Sequence, residues 1–197
     1  RKVAAIIEAR RPNAAFHSAS NPEFLREGSA IEDFMRPDRV VIGVESERAE
    51  EVLRHVYRPL NLRETPILVT DLETAEIIKY AANAFLATKI TFINEIADLC
   101  EKTGGDVQEV ANGIGFDSRI GKNFLHAGPG YGGSCFPKDT KALARTGQEV
   151  GAPQSIVETV IRVNEERKSA MADKVIAACG GSLAGKKIAV LGVTFKP

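Results

Sequence analysis

The chain has 197 residues, of which 44% are hydrophobic, and it carries 26 basic and 26 acidic side chains. That length and apolar content suffice for one or two packed domains, while a net charge of zero argues against nucleic acid or an anionic membrane as a partner. No apolar run approaches the ~18 residues of a transmembrane helix, and no secretory signal pattern is present. The three cysteines and three histidines are scattered, which favours neither a disulfide framework nor a metal site, so a reducing cytoplasm fits best.

The first 70 residues alternate helical and extended patterns, which predicts a parallel α/β sheet. After a strand predicted at 14–18, an S-x-x-E capping box from Ser20 to Glu23 is expected to open a helix that places Glu23 and Glu27 on one face. From the residues alone, a helix cap and a solvated acid are the preferred interpretation of the two glutamates. The other predicted helices of this part lie at 1–11 and 47–57, and the predicted strands lie at 14–18, 40–44 and 66–69.

Residues 71–103 form the longest periodic segment, with a capping box at Thr70–Glu73 before it and Gly104 and Gly105 after it. At ~1.5 Å per residue this segment predicts a helix of roughly 45 Å, long enough to be the spine of an interface. The elements predicted after it are helices at 106–112, 139–147 and 155–179, the last opened by an S-x-x-E box at Ser155, and a strand at 187–191.

Lys79 and Asn83 lie four residues apart on the long predicted helix and therefore on one face of it. From the pattern alone, a lysine that covers apolar surface and an incidental asparagine are slightly preferred. The functional alternative is that this cation and this amide together hold an alkoxide or an oxyanion.

The stretch FLHAGPGYGGSCFPKDTKAL at 124–143 carries the clearest chemical signal in the chain. Its glycines let a ligand approach the backbone, and they lead to Cys135, just before the helix predicted at 139–147. A helix N-terminus and the nearby Lys138 both favour a thiolate, so Cys135 is a candidate nucleophile; the alternative is an inert buried thiol. The G-x-G-x-x-G pattern at 128–133 follows no strand-like run, which argues against a Rossmann fingerprint here.

The segment GPGYGGSCFPKDTKAL resembles the active-site segment of the UDP-glucose 6-dehydrogenases, within the UDP-glucose/GDP-mannose dehydrogenase family. Four further segments carry the same resemblance: SNPEFLREGSAI, DRVVIG, AEIIKYAANAFLATKITFINEI and KKIAVLGVTFKP. The resemblance covers nearly all of the chain but only the middle of a family enzyme. Because the chain starts at Arg1 without Met and stops at Pro197 just after a strand-like run, we interpret it as an internal fragment.

The resemblance implies an α/β and α fold: the C-terminal part of a Rossmann-like parallel-sheet domain, then a mainly helical central domain built on a long spine helix, similar to the C-terminal domain of 6-phosphogluconate dehydrogenase. The implied domains are 1–70 for the NAD-binding part, 71–184 for the helical dimerisation domain with the cysteine loop, and 185–197 for the first strand of a UDP-sugar-binding domain. A homodimer is expected through the helix at 71–103.

The activity that the resemblance implies is the NAD-dependent, four-electron oxidation of UDP-glucose to UDP-glucuronate. Cys135 would capture the aldehyde as a thiohemiacetal and then carry the acyl group as a thioester. Lys79 and Asn83 would hold the oxyanion and place the water. Asp139 would position or deprotonate that water, and Glu23 would be the general base for thioester hydrolysis.

The cofactor that the resemblance implies is NAD, contacted by Glu27 and by Lys138, with Lys138 near its phosphates. Arg119 would reach into the sugar-nucleotide site of the neighbouring subunit. The aromatic side chains of the cysteine loop are expected to pack rather than to stack on a base, and the loop would contact the sugar through its backbone. The residues implied in UDP-sugar binding are Phe24, Leu25, Arg119, Phe124, Leu125, Tyr131 and Gly132.

Two alternatives to this function remain open. Within the family, the substrate is GDP-mannose or a UDP-N-acetylhexosamine, although Phe136-Pro137 and FDSRIGKNFL favour UDP-glucose. In a different class, this chain by itself is a non-catalytic helical dimerisation module without enzymatic activity. A thiol peroxidase is disfavoured, because no resolving cysteine lies near Cys135 and because Cys100 and Cys179 are assigned to apolar helix faces.

Overall fold

The computed structural model describes residues 2–61 and 65–192. The chain forms two compact units, Arg1–Lys79 and Tyr80–Pro197, and the boundary between them falls inside the longest helix. The elements in chain order are α1 (Lys2–Arg10), β1 (Ala19–Ser20), α2 (Ala30–Met35), β2 (Val40–Val44), α3 (Glu47–Val56), α4 (Arg58–Asn61), β3 (Ile67–Thr70), α5 (Leu72–Thr103), α6 (Val107–Gly115), α7 (Cys135–Glu149) and α8 (Ser155–Ala178).

The first unit is built on a three-stranded sheet in the order β1-β2-β3. The central strand β2 pairs with β3 in parallel, with Val40 opposite Ile67, and with the two-residue β1 in antiparallel. The parallel pairing and the helix α3 between the two strands confirm the predicted α/β sheet. The buried apolar cluster of this unit consists of Val40, Ile42 and Leu60.

Helix α5 begins directly against the sheet. A Cβ atom on Gly43 of β2 would lie 2.6 Å from Ala75 Cβ and 2.7 Å from the Asp71 carbonyl oxygen, so only glycine fits there. The Asp71 carboxylate caps the helix by accepting the N–H (2.6 Å) and the hydroxyl (2.8 Å) of Thr74, and these bonds lower the pKa of Asp71. The cap is thus one residue later than the box predicted at Thr70, because the carboxylate at 71 already reaches the first-turn donors.

The second unit is organised along α5, whose 32 residues confirm the long helix predicted at 71–103. One buried cluster joins α5 to α7 and α8, a second joins it to α8 and the loop before α7, and a third joins it to α6 and the same loop. The loop before α7 is therefore part of the core. The members of the three clusters are, in order, Ala84, Ala144 and Val157; Ala87, Tyr131 and Val160; and Ile93, Ala111 and Leu125.

Two predictions in the first unit are wrong. Residues 14–18 are not a strand, because the chain pairs with β2 only at the two residues of β1. Residues 20–27 form no helix after the S-x-x-E box. Instead, the side chains of Asn21 and Glu23 bond to backbone groups, which competes with helical hydrogen bonds.

Several predictions in the second unit also differ from the structure. Helix α7 begins at Cys135 rather than 139, because Pro137 falls in its first turn, where no backbone N–H is needed. Ser155 is the first helical residue of α8 and makes no cap. Residues 187–191 have no regular structure, since a strand requires a backbone partner and no described residue pairs with them. Residues 193–197, the end of the predicted UDP-sugar-binding segment at 185–197, lie outside the described residues.

Candidate active site

The loop at 21–28 is tied to the sheet by the side chain of Asn21. Its Nδ2 donates to the carbonyl oxygen of Val41 in β2 at 2.7 Å, and the Tyr57 hydroxyl donates to its Oδ1 at 2.5 Å. Both polar ends of Asn21 are therefore satisfied by elements of the sheet unit, which fixes the start of the loop. Four predicted site residues follow on this loop: Glu23, Phe24, Leu25 and Glu27.

Lys79 of α5 contacts this loop. Its ammonium lies 3.5 Å from the Glu23 carboxylate and 5.3 Å from the centre of the Phe24 ring, and the Arg39 guanidinium lies 4.0 Å from the same ring centre. The Lys79 side chain is only 15% exposed whereas that of Glu23 is 57% exposed, so solvent screens the pair from the glutamate side. The structure thus brings together two predicted catalytic residues that are distant in sequence.

The two glutamates of the loop lie in different local structures. The Glu23 carboxylate accepts the Leu25 N–H at 2.7 Å, which turns the loop back on itself. Glu27 lies in an exposed turn beside Gly28, whose φ of +85° is a conformation that favours glycine. Glu23 and Glu27 therefore do not share a helical face, contrary to the prediction.

Asp139 is the buried centre of the site residues in the second unit, with 1% of its surface exposed. Its Oδ2 accepts a hydrogen bond from Asn83 Nδ2 at 2.6 Å, and its Oδ1 accepts one from Lys138 Nζ at 2.5 Å. A buried carboxylate requires such donors, because an unpaired buried charge is costly. The bond to Asp139 is the main cause that raises the pKa of Lys138, and the charge of Cys135 adds a smaller effect. These four predicted residues therefore form one group.

Cys135 is the first residue of α7 and is half-buried. Its Sγ lies 3.6 Å from the hydroxyl oxygen of Ser134. The N-terminal end of a helix favours negative charge, and Lys138 places a cation within the same turn. A partly accessible thiol with a helix N-terminus and a cation close by is the setting in which nucleophilic cysteines occur.

The predicted sugar-binding residues around the loop before α7 differ in accessibility. Leu125 and Tyr131 are 2% and 5% exposed, and this burial raises the pKa of Tyr131. Phe124 has a φ of +65°, uncommon for a residue with a side chain, and its ring meets that of Phe136 edge-on with centroids 6.1 Å apart. Gly132 is half-buried. The side chains of Leu125 and Tyr131 are therefore core residues that are not accessible to a ligand.

Arg119 lies in the turn after α6 with its side chain 87% exposed. The Asp117 carboxylate accepts from Arg119 Nε at 3.0 Å and from its Nη2 at 2.5 Å, and Arg119 in turn lowers the pKa of Asp117. Lys89 of α5 donates to the carbonyl oxygen of Ile120 at 2.9 Å and so anchors the turn. The guanidinium of Arg119 is therefore presented at the surface by a fixed backbone.

Three side chains that the sequence analysis overlooked contact the loop before Cys135: Asn94, Asn164 and Arg167. The sequence does contain a signal for Asn164. It falls on the apolar face of α8, in register with the buried Val157 and Val160, where a polar side chain requires a buried partner. Asn21 has no comparable signal, because its partners Val41 and Tyr57 are distant in sequence.

Residues 2–61 and 65–192 contain neither a cluster of metal-ligating side chains nor a membrane-spanning helix. Within these ranges, no group of three or more His, Cys, Asp or Glu side chains is arranged to hold a metal ion. The same ranges contain no helix with the length and apolarity needed to cross a membrane. The three cysteines are free thiols.

Two parts of the chain match domains of one known family. Residues 1–61 match the NAD binding domain of the UDP-glucose/GDP-mannose dehydrogenase family, and residues 73–166 match the central domain of that family. The second match contains Asn83, Cys135 and Asp139, and the first contains the loop at 21–28.

Individual proteins of the same family are similar to this chain in sequence or in structure. A UDP-glucose 6-dehydrogenase of Rhizobium meliloti is 63% identical across 100% of this chain and 45% of that protein. The structure of a UDP-glucose dehydrogenase from Pyrobaculum islandicum is 44% identical, with a TM-score of 0.86 over 90% of this chain and 40% of that one. A GDP-mannose dehydrogenase from Pseudomonas aeruginosa is 32% identical, with a TM-score of 0.56 over 88% of this chain and 40% of that one. The chain thus spans less than half the length of these proteins.

Proposed function

This chain belongs to the UDP-glucose/GDP-mannose dehydrogenase family, and we propose that the whole protein oxidises UDP-glucose to UDP-glucuronate with two equivalents of NAD. The observation that carries the proposal is Cys135 in the first turn of α7, beside the buried Asp139 and its partners Asn83 and Lys138. A four-electron oxidation of an alcohol requires covalent capture of the aldehyde, and a thiol at a helix N-terminus is suited to it.

In this mechanism Cys135 acts between the two oxidations. Its Sγ forms a bond to the aldehyde carbon, and the resulting alkoxide takes a proton to give a thiohemiacetal. Loss of a hydride and a proton from this intermediate leaves a thioester. Water then adds to the thioester carbon, the carbon–sulfur bond breaks, and the thiolate and the carboxylate product are released.

The other polar residues act on oxygen and water. Lys79 and Asn83 supply a cation and an N–H donor to the developing oxyanion. Asp139 orients or deprotonates the attacking water, while Glu23 is the general base for thioester hydrolysis. In support of a base role, Glu23 is more than half exposed beside Lys79.

NAD, when bound, accepts the hydride in each of the two oxidation steps. The residues present suit a dinucleotide: the Lys138 side chain is 68% exposed and offers a cation to a phosphate, and Glu27 lies on an exposed turn. The parallel strands β2 and β3 fit as well, because Rossmann-like sheets bind dinucleotides beyond the carboxyl ends of such strands.

The sugar nucleotide is bound mainly through backbone in this proposal. The loop before α7 contacts the hexose through the backbone groups of Leu125 and Gly132. At Tyr131 only the carbonyl oxygen takes part, because a carbonyl oxygen can accept a second bond whereas the Tyr131 N–H already donates to Asn164. Phe24, Leu25 and Phe124 complete the sugar contacts.

The functional assembly that we propose is a homodimer formed through α5. Three large apolar side chains on this helix are exposed at heptad spacing, Phe85 by 66%, Phe92 by 49% and Leu99 by 57%. A row of this kind is the pattern by which two helices pack along their length. We infer that a second copy of the chain packs against this row. Such a dimer also gives Arg119 a role, because the exposed guanidinium of Arg119 would then reach the sugar-nucleotide site of the partner.

We further propose a cytoplasmic location and three domains. Three free thiols, one of them required as a nucleophile, suit a reducing compartment. The domains are 1–70 for NAD binding, 71–184 for the central domain, and 185–197 for the start of a UDP-sugar-binding domain. The first limit falls just before α5 begins at Leu72, whereas the compact units divide at Lys79 within that helix.

The test of this function is the number of NADH molecules formed per UDP-glucose consumed by the full-length protein. We expect two, and we expect Cys135→Ala to abolish this turnover. Cys179→Ser is the matched control, because Cys179 is also a half-buried thiol at a helix end but lies at the C-cap of α8. A ratio of one, or full activity in Cys135→Ala, would remove the covalent mechanism.

Two further outcomes of the same assay address the alternatives. Turnover with GDP-mannose or a UDP-N-acetylhexosamine but not with UDP-glucose would keep the chemistry and change the substrate. For this chain alone, the rival is a non-catalytic dimerisation module, which predicts no heat of binding when UDP-glucose or NAD is titrated into it.

A further inference from the structure

The loop before Cys135 is held by side chains of α5 and α8 through its backbone. Asn164 of α8 forms two hydrogen bonds with Tyr131: its Oδ1 accepts the backbone N–H at 2.8 Å, and its Nδ2 donates to the carbonyl oxygen at 3.1 Å. The asparagine is 1% exposed. The Asn164 amide thus bonds to both backbone groups of Tyr131, as the backbone of a neighbouring β-strand would.

A second set of bonds holds the same loop three residues earlier. Arg167 Nε donates to the Gly128 carbonyl oxygen at 2.5 Å, and its Nη1 donates to the carbonyl oxygen of Asn94 at 3.0 Å and to Asp98 at 2.7 Å. Asn94 Oδ1 accepts the Gly128 N–H at 2.8 Å. Both backbone groups of Gly128, like both of Tyr131, are therefore paired with side chains.

The sequence of the loop is adapted to this arrangement at Gly130. Its φ is +123°, and a Cβ atom there would lie 2.8 Å from Asn164 Oδ1. Glycine at position 130 therefore permits the positive φ and also leaves room for Asn164 Oδ1 next to the backbone.

These polar contacts are more than α8 needs for its packing. The helix already buries Val157 and Val160 against α5 and its neighbours. Burying an amide and a guanidinium is costly unless every polar atom is paired, and apolar side chains would pack the helix without that requirement. Compared with apolar side chains at the same positions, Asn164 and Arg167 add the hydrogen bonds to Tyr131 and Gly128.

The position of the loop is transmitted to the start of α7 by Tyr131. Its ring meets the ring of Phe136 edge-on, with centroids 6.2 Å apart, and Phe136 packs against the buried cluster that contains Tyr131. Phe136 directly follows Cys135 in the first turn of α7. A shift of Tyr131 would therefore move the first turn of α7.

We propose that Asn164 and Arg167 are positioning residues for Cys135: by fixing the backbone of Gly128 and Tyr131, they hold the sulfur at the first position of α7 and at a constant distance from Asp139. The proposal rests on the function proposed above. Neither residue touches the reacting atoms, and both act through the loop.

The experiment uses full-length protein with Asn164→Leu, which keeps the branching at Cγ and lacks both hydrogen bonds. Two quantities are measured: kcat and KM for UDP-glucose, and the pH dependence of Cys135 alkylation by iodoacetamide, located by mass spectrometry of the peptide. We expect kcat to fall roughly 100-fold with KM little changed, because misplacement of a reacting group acts on the chemical step. We expect the midpoint of alkylation to move to higher pH, because the sulfur leaves the helix N-terminus.

Two control variants separate positioning from stability. Val157→Ala removes buried apolar contact from α8 without touching the loop, and it should lower the melting temperature while leaving kcat and the alkylation midpoint as in wild type. Arg162→Gln changes an exposed ion pair of the same helix and should change none of these quantities. If Val157→Ala shifts kcat and the midpoint as Asn164→Leu does, the effect is structural and the proposal is wrong.

A second variant keeps the test decisive if Asn164→Leu does not fold. Arg167→Lys retains a charge for Asp98 but lacks the planar set of donors that reaches Gly128 and Asn94 together, and it should reproduce the kinetic change in weaker form. Wild-type kcat and midpoint in a folded Arg167→Lys or Asn164→Leu would overturn the proposal. If wild-type protein oxidises no UDP-glucose, the proposed function fails, while the alkylation profiles still decide whether the two residues position Cys135.

Discussion

Replacing Asp139 by asparagine tests whether the buried carboxylate stabilises the second unit through charge. The carboxylate accepts one buried bond, from Asn83 at 2.6 Å, and one from Lys138 at 2.5 Å. A hydrogen bond to a charged group contributes about 1.5–3 kcal/mol. The bond from Lys138 adds about 0–1 kcal/mol, because that side chain is 68% exposed and solvent screens it. We therefore expect Asp139→Asn to lower the free energy of unfolding by about 1.5–4 kcal/mol.

The assay is urea denaturation of the full-length protein, with an exchange of the two residues as the control. Asn83→Asp alone brings two carboxylates together and should also destabilise the unit. The double variant with Asn83→Asp and Asp139→Asn restores one amide donor facing one carboxylate. It should therefore be more stable than the sum of the single changes predicts, by about 1.5–3 kcal/mol.

Activity separates this stability from catalysis. The exchanged pair places its carboxylate on α5 instead of α7, away from Lys138 in sequence, so we expect its kcat to stay as low as that of Asp139→Asn. A coupling energy below about 0.5 kcal/mol in the double variant would refute the assignment of a strong buried bond between Asn83 and Asp139.

Three other predictions concern the frame around the site. Gly43→Ala should destabilise the first unit by about 1–3 kcal/mol in chemical denaturation, because its Cβ has no room against α5. The pKa of Asp71 is lower in the folded than in the unfolded protein, so its cap stabilises the fold at pH values above the unfolded pKa. This stabilisation is lost as the pH falls through the folded pKa. The melting temperature of Asp71→Asn should therefore fall less in acid than that of the wild type. Phe92→Glu should convert a dimer to monomers in sedimentation velocity.

Each of these predictions has a matched control. Gly113→Ala, in α6 with no atom near the added Cβ, should stabilise by about 0.5–1 kcal/mol, and an equal effect at both glycines would contradict the steric argument. Asp71→Asn keeps a side-chain acceptor, so its melting temperature at neutral pH should remain near that of wild type. Val150→Glu alters an apolar side chain that is 71% exposed outside α5 and should leave the sedimentation profile unchanged. An unchanged profile for Phe92→Glu would remove the α5 interface.

The features that the sequence predicted well depend on local pattern. The periodicity over 71–103 and the β-branched run at 40–44 predicted α5 and β2 because each pattern fills one element and needs only general burial. The family resemblance named Asn83, Lys138 and Asp139 one by one, but their contacts with each other were not predicted, since residues on two helices carry no common period.

The features that it missed depend on distant partners. Ser20 to Glu23 has the local pattern of a cap, but the Asn21 side chain finds the backbone of Val41 instead. The strand pattern at 187–191 has no pairing partner in the described chain. The start of α7 was predicted four residues too late, at 139 instead of Cys135, and Pro137 is tolerated because it lies in the first turn.

The short strand β1 has a consequence for the edge of the sheet. After Ser20 pairs with Gly43, the next residues in antiparallel register would lie beside Ile42 and Val41, but Pro22 has no N–H to continue the ladder. An open strand edge invites pairing with another chain and hence aggregation. The Asn21 amide supplies the missing donor to Val41 at 2.7 Å, so the side chain that shapes the glutamate loop also closes this acceptor to a foreign strand.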